Sequence, residues 1–342
     1  MSNKVTLRDI ADDLAISVPT VHRALSGTGR ISAETKKLIL HRASELGYHS
    51  TYVGQDSAWR FAFICPDNEF YQEIIHGARI ATEEHKTSRT EYLVSQDYSP
   101  EHQVRHLREI LEGKNYDGVA ICPVHPMLIT PLINSLVDRG IPVVTFNNDA
   151  SQSRRQCYVG ENAHISGTFA AQLYSSILPE NAKVALLQSL VSAEELRLRI
   201  KGFKEYVRMN PKIQILGTYD FYDNIDSANE IARQLLLTTF VDAIFVNSMF
   251  GTIGTARALH GLSTSERPFM IGYDLNAEIH TFINQEILYG TLFQSPVHQG
   301  YLAINALCKL LSMHDHLSET IHLPTHLILK SNLNQNQDYD LL

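Results

Sequence analysis

The chain has 342 residues, 44% hydrophobic and 19% charged, a soluble globular balance too long for one ordinary domain, so two or three domains are expected. No apolar run approaches the ~18 residues that span a bilayer, and MSNKVTLRDIADD sets acids where a signal peptide needs an apolar core, so neither membrane insertion nor export is expected. The formal charge of −8 is uneven: residues 1–60 hold eight Lys/Arg against six Asp/Glu, leaving −10 for the rest, so a polyanion is expected to meet the amino end.

Three short helices are predicted first. Thr6 caps one running to about Ala15, with Ile10, Ala11 and Leu14 on one face. Ser17 caps the second, where Pro19 falls in the first turn and lacks no needed N–H, and Val21, Ala24 and Leu25 form its apolar face. Gly27 and Gly29 end it. Ser32 caps a third, with Leu38, Ile39, Arg42, Ala43 and Leu46 at helical spacing and Gly47 as its stop. Together the three bury a minimal core that none could bury alone. Residues 48–60 (YHSTYVGQDSAWR) are polar and aperiodic and read as a linker.

Beyond the linker the pattern changes. FAFIC (61–65), YLVS (92–95), DGVAIC (117–122), IPVVTF (141–146), KVALLQ (183–188), IQILG (213–217), DAIFV (242–246), PFMIGY (268–273) and GTLFQ (290–294) alternate with amphipathic stretches of helical length. This is β-α-β winding around parallel sheets, with too many strands for one small sheet, so two lobes are expected. The tail LNQNQDYDLL reads as loose. The cysteines Cys65, Cys122, Cys157 and Cys308 are far apart and form no CxxC, so buried reduced thiols are expected.

Two short helices with a tight turn and a third in support make a helix-turn-helix, whose second helix lies in the DNA major groove. Ser17, Val18, Pro19, Thr20, His22 and Arg23 then form its outward face, Arg23 offering a bidentate contact to guanine. From pattern alone, a generic helical hairpin with a solvated arginine stays open. VTLRDIA (5–11), VPTVHRALSG (18–27), RISAET (30–35) and ELGY (45–48) agree in order and spacing with the head of the lactose/galactose repressor family, which the chain resembles over more than forty residues. That resemblance implies phosphate contacts from Thr6, Ser17, Ser32 and Thr35 and base reading by Val18, Pro19 and Arg23. His22 stands in place of the usual Ser, and Ser26 in place of the usual Asn. The family's Ala-rich hinge segment, which wedges a Leu into the minor groove, corresponds here to YVGQDSA (52–58), with Ser57 at the Leu position, so weaker bending of DNA is expected.

The body resembles the two-lobed type I periplasmic sugar-binding fold over 61–331, through PDNEFY (66–71), CPVHP (122–126), PVVTFNND (142–149), YVG (158–160), IGYD (271–274) and FQSPVHQG (293–300). Such a site needs flat aromatics against sugar C–H faces and convergent polar groups for hydroxyls. Phe70 and Tyr71 supply rings, and Asn68, Asn147, Asp149, Arg199, Asn247, Asp274 and Gln294 supply donors and acceptors; the resemblance implies ligand contacts at these positions. Asn148 replaces an Arg common in the ribose-binding branch, which argues against ribose itself. The stretch 221–226 aligns too loosely to place a residue.

The expected organisation is a small all-α helix-turn-helix head at 1–50, a linker at 51–60, and a doubly wound α/β two-lobed domain at 61–342. Its first lobe comprises about 61–161 and 292–321, its second about 162–291 and 322–342. Catalysis is not expected: no GxGxxG or Walker loop occurs, GTIG (251–254) lacks the spacing, no GxSxG supports Ser192 with His298, and sixteen histidines are scattered without metal-ligand spacing. The expected function is a cytoplasmic regulator, acting as a homodimer on a near-palindromic operator, answering to a sugar or polyol, with no cofactor or metal. A non-sugar or phosphorylated effector is the alternative, and an exported sugar receptor or α/β enzyme a more distant one.

Overall fold

Hydroxyl caps set the helix starts of the amino-terminal head. In α1 (Leu7–Asp13) the Thr6 hydroxyl accepts the Asp9 N–H and donates to the Asp9 carboxylate, which also takes the Thr6 N–H, a reciprocal capping box. Ser17 before α2 (Val18–Ser26) and Ser32 before α3 (Ala33–Glu45) cap in one direction only, accepting the N–H groups of Thr20 and Thr35 at 3.3 and 3.1 Å. Ala15, at φ 52°, turns the chain between α1 and α2. Ile10, Ala11, Val21, Ala24, Ile39 and Ala43 are the buried core, and Arg42 of α3 grips Asp13 of α1 through two nitrogens. Leu38 departs from expectation. It is 56% exposed because it lies on the side of α3 away from α1 and α2.

The computed structural model describes residues 5–26, 31–46, 59–86, 88–95, 99–189, 192–312 and 317–334. Most of the linker and the hinge segment 52–58 lie outside those residues.

Among the described residues the body holds twelve strands: β1 (Trp59–Pro66), β2 (Ser88–Ser95), β3 (Gly118–Ile121), β4 (Val143–Phe146), β5 (Cys157–Glu161), β6 (Lys183–Ser189), β7 (Gln214–Phe221), β8 (Ala243–Val246), β9 (Phe269–Tyr273), β10 (Gly290–Phe293), β11 (Thr320–Leu323) and β12 (His326–Leu329). They form two sheets wound alike, in the orders β11-β5-β4-β3-β1-β2 and β12-β10-β9-β8-β6-β7. Every pairing is parallel except β10 with β12. The central strands are buried on both faces, as their continuous apolar runs require. Helices α4 (Glu69–Glu84), α5 (Pro100–Glu112), α6 (Pro126–Asp138) and α12 (Pro296–Ser312) cover the first sheet, and α7 (Ala163–Ile177), α8 (Glu194–Met209), α9 (Ile225–Thr238), α10 (Met249–His260) and α11 (Ala277–Asn284) the second.

In each sheet the chain reverses direction at the first strand, β1 or β6, and ligands of such sheets sit beyond the strands' carboxyl ends at that switch. The chain crosses between lobes three times, at Asn162, at Gln294–Ser295 and at Pro324–Thr325. Leu292 and Phe293 complete β10 in the second sheet, and His322 and Leu323 complete β11 in the first. The divisions expected at 292 and 322 therefore move two residues along the chain. Three strands lacked a place among the expected nine: β5, and the edge strands β11 and β12, four residues each.

Candidate ligand cleft and DNA-reading face

The strand ends of both lobes enclose a cavity of about 260 Å³, just under the range of about 300–1,000 Å³ usual for drug-sized ligands and suited to one small metabolite. Phe70 and Tyr71, in the first turn of α4, form its aromatic side, with the two rings edge to face at 5.2 Å. Asn147 follows β4 and Asp274 follows β9, and both adopt a left-handed backbone (φ 59° and 64°) that Asn and Asp tolerate better than bulkier residues. The equivalent positions of the two lobes thus turn their side chains into one cleft.

An amide relay joins them. The Tyr71 hydroxyl donates to Asn147 Oδ1 at 3.3 Å, Asn147 Nδ2 donates to Gln294 Oε1 at 3.2 Å, and Gln294 Nε2 donates to Asp274 Oδ1 at 2.9 Å. Gln294 is itself on a crossing between the lobes. Burial raises the Asp274 carboxyl from 3.8 to about 6, although the Arg199 charge and the Gln294 hydrogen bond pull the other way.

Arg199, on α8, is 3% exposed. Its Nε and Nη2 meet Glu161 Oε1 at 2.7 and 2.5 Å, Nη1 donates to the Asn247 carbonyl at 2.9 Å, and the guanidinium lies 4.1 Å from the Tyr273 ring centroid. Burial works against that charge, but Glu161 outweighs it and holds the guanidinium above its ordinary pKa. Thr325 Oγ1 donates to the other Glu161 oxygen at 2.8 Å, so this ion pair touches two of the three crossings.

Six of the nine expected ligand residues line the cavity: Phe70, Tyr71, Asn147, Arg199, Asp274 and Gln294. Three stand elsewhere, each with work of its own. Asn68 caps α4, its Oδ1 accepting the Tyr71 N–H at 3.2 Å. The Asp149 carboxylate is taken by Arg155 (2.7 and 2.6 Å) and by the Thr145 hydroxyl (2.6 Å). Asn247, fully buried, accepts the Ser189 N–H and donates to the Leu196 carbonyl, bracing the loops beside Arg199.

The cavity wall also holds residues outside the expected nine, above all His125, Asn148, Glu195 and Asp223. Asn148 Oδ1 accepts the Glu194 N–H across the cleft at 3.0 Å, and Glu195 Oε1 accepts the Asp149 N–H at 2.7 Å. On the opposite side Asn276 Nδ2 donates to Glu69 at 3.0 Å, so the lobes touch on both flanks. Glu195 was findable: it lies one helical turn before Arg199 and must share its face. Asp223 sits just past β7, within the stretch that no motif anchored. All four cysteines are buried thiols; Cys122 lines the cavity, and burial pushes it up to about 12. Among the described residues no three His, Cys, Asp or Glu gather as a metal site requires, and no helix is long and apolar enough to cross a membrane.

In the head, Ser17, Pro19 and Arg23 are exposed, Val18 is 37% exposed, and Thr20 and His22 are half-buried. Val18, Pro19, His22 and Arg23 lie on the face of α2 away from Val21 and Ala24, and Ser17 and Thr20 pair through their hydroxyls at the helix start. Arg23 Nε donates to the Pro19 carbonyl one turn back. Thr6, Ser17 and Ser32 lie exposed beside helix starts, where backbone N–H groups and the helix dipole favour phosphate oxygens, and Thr35 is half-buried against Ser32 at 2.7 Å.

Residues 61–315 match the family described as periplasmic binding protein domain, and residues 6–51 match the bacterial regulatory proteins of the lacI family. The ribose operon repressor of Halalkalibacterium halodurans is 25% identical over 291 residues, 79% of this chain and 80% of that one. The HTH-type transcriptional repressor PurR of Pasteurella multocida is 22% identical over 345 residues, covering 96% of this chain and 98% of that one. Among solved structures, GanP, a glucose-galactose binding protein from Geobacillus stearothermophilus, superposes with a TM-score of 0.75 at 25% identity, covering 81% of this chain and 99% of GanP. A solute binding protein from Bacillus halodurans with bound myo-inositol gives 0.76 at 16% identity, covering 84% and 99%, and shows the fold alone. The greater part of the chain belongs to the periplasmic binding protein domain family, and this two-lobed domain is joined to a helix-turn-helix head that matches the lacI family of bacterial regulatory proteins, the make-up of a DNA-binding transcription regulator.

Proposed function

We propose that this protein acts in the cytoplasm as a repressor of genes that handle a small polyhydroxylated metabolite, a sugar or polyol, which binds between the lobes and alters affinity for the operator. The observation that carries this reading is the relay from Asn147 through Gln294 to Asp274, which sets hydroxyl-binding groups of both lobes and one crossing around a single cavity. Phe70 and Tyr71 offer rings to the apolar face of a pyranose or cyclitol. The ribose and glucose-galactose in the names of a relative and a neighbour support the same class. A phosphorylated ligand is disfavoured, because Arg199 is already paired with Glu161.

On the DNA side Val18, Pro19 and Arg23 read bases and Thr6, Ser17, Ser32 and Thr35 hold phosphates, with Thr20 and His22 at the edge of the same face. One head makes too few contacts for tight specific binding, so two act together as a homodimer on half-sites about one helical turn apart. Ligand and operator are then coupled reciprocally by about 1–3 kcal/mol. The test is a thermal-shift screen of sugars and polyols on the full chain, followed by gel shifts on a selected operator with and without each hit. A hit that raises the melting temperature and changes operator affinity is expected. A protein that prefers no duplex over random DNA overturns the reading.

A further inference from the structure

This inference rests on the cleft assignment above and concerns the charge of its occupant. Three carboxyl groups line the cavity, Glu195, Asp223 and Asp274. Arg199, the guanidinium on the same wall, has given its nitrogens to Glu161 and to the Asn247 carbonyl. Asp223 is held by the Ser248 hydroxyl at 2.6 Å and by the Ser189 hydroxyl, and Asp274 has one oxygen held by Gln294 at 2.9 Å. Glu195 is 7% exposed; its Oε1 takes the Asp149 N–H, while its Oε2 is buried without a hydrogen-bond partner. Buried carboxylates are ordinarily paired with a cation or fully hydrogen-bonded. Burial raises all three carboxyls above their ordinary values, and the Arg199 charge and the hydrogen bonds at Asp223 and Asp274 offset that only in part. The starts of α4, α8 and α10 lie at the same wall and add about half a positive charge each, short of three carboxylates.

We propose that the ligand carries an ammonium group beside its hydroxyls, as an amino sugar or aminopolyol does, and that Glu195 with Asp223 or Asp274 receives it. The ammonium supplies the missing cation and gives Glu195 Oε2 a donor. The hydroxyls engage the amide relay and the aromatic pair as before. The ligand's charge distinguishes this cleft from one built for a neutral monosaccharide, and it excludes uronic acids, whose carboxylate would meet the same acidic wall.

The test is calorimetric titration of the full chain with matched probes: D-glucosamine against D-glucose, D-galactosamine against D-galactose, their N-acetyl derivatives, and D-glucuronate. At least one amine is expected to bind about 30-fold or more tightly than its neutral parent and its N-acetyl form, the lower end of what one buried charge pair contributes. Glucuronate is expected not to bind. Glu195→Gln keeps the acceptor for the Asp149 N–H and should collapse the amine-to-parent affinity ratio toward unity; Asp223→Asn carries the same expectation if that variant folds poorly. Preference for a neutral parent or for glucuronate overturns the ammonium assignment and leaves the cleft reading standing. An unchanged ratio in both variants also overturns it. Binding of none of these hydroxylated probes overturns the cleft reading together with this proposal.

Discussion

Asp274→Asn tests the physics of the cleft directly. The carboxyl is 3% exposed, and its pKa rises from 3.8 to about 6. The folded state therefore holds that proton more tightly than the unfolded chain. Its stabilising effect is complete below pH 3.8 and is lost as pH rises through 6, so above about pH 7 the ionised group costs the folded protein about 3 kcal/mol, at about 1.4 kcal/mol per pH unit. At pH 5 about half of that cost is present. Asparagine mimics the neutral acid, keeps an acceptor for Gln294 Nε2 and accepts the left-handed backbone of this position. Asp274→Asn should therefore stabilise the ligand-free protein by about 3 kcal/mol at pH 7.5 and by about 1.5 kcal/mol at pH 5, while the ligand-induced rise in melting temperature disappears. Urea denaturation at both pH values reads the first effect and thermal shift the second. A variant less stable than the parent at pH 7.5, or a gap equal at the two pH values, refutes the argument.

Three further outcomes follow from the same structure. Arg199→Met should destabilise by about 3–5 kcal/mol because Glu161 is left charged and buried, and adding Glu161→Gln should restore most of the loss in chemical denaturation. Gly300→Ala should lower the melting temperature by the equivalent of about 1–3 kcal/mol, since a Cβ there would run into the Ile74 carbonyl where α12 crosses α4. Arg23→Ala should relax base preference at one position of each half-site, worth about 1–3 kcal/mol in a binding-site selection; unchanged specificity would remove Arg23 from base reading.

The head was legible because its cues are local. Caps at Thr6, Ser17 and Ser32, with apolar residues three and four apart, specify three helices without reference to anything distant, and only Leu38 faces the wrong way. The central strands were legible for a similar reason, since burial on both faces writes a continuous apolar run. The edge strands β11 and β12 carry no such run, being only partly buried and short. The cleft was half legible. Position at a strand end brings a residue to the site but does not say which way its polar atoms are already committed. Asp149 and Asn247 lie at such ends, yet Arg155 claims the first, and the Ser189 N–H and Leu196 carbonyl the second. Glu195, findable only through its place one turn before Arg199, was passed over for the reverse reason. Within the run EELRLR it reads as a solvated helix face, and only the closing of two lobes buries it.

How a bound molecule would reach the head is a question about the crossings, and Thr325 isolates it. Its hydroxyl donates to Glu161 Oε2, Glu161 ends β5 at the first crossing, and the other Glu161 oxygen holds the cavity residue Arg199. A ligand that shifts Arg199 thus pulls on two crossings through one carboxylate, without needing any longer path. Thr325→Val removes the donor while keeping the shape, leaving a buried oxygen unpartnered at a cost of about 1–3 kcal/mol. If the contact transmits the signal, the variant should still bind ligand and operator separately, with their coupling reduced about fivefold, or ~1 kcal/mol. Thr325→Ser should retain both stability and coupling. The measurement is operator affinity at zero and saturating ligand for all three proteins. Equal ligand-induced changes in parent and Thr325→Val would mean that the ion pair only holds the lobes together, and that the signal travels through Gln294 at the middle crossing.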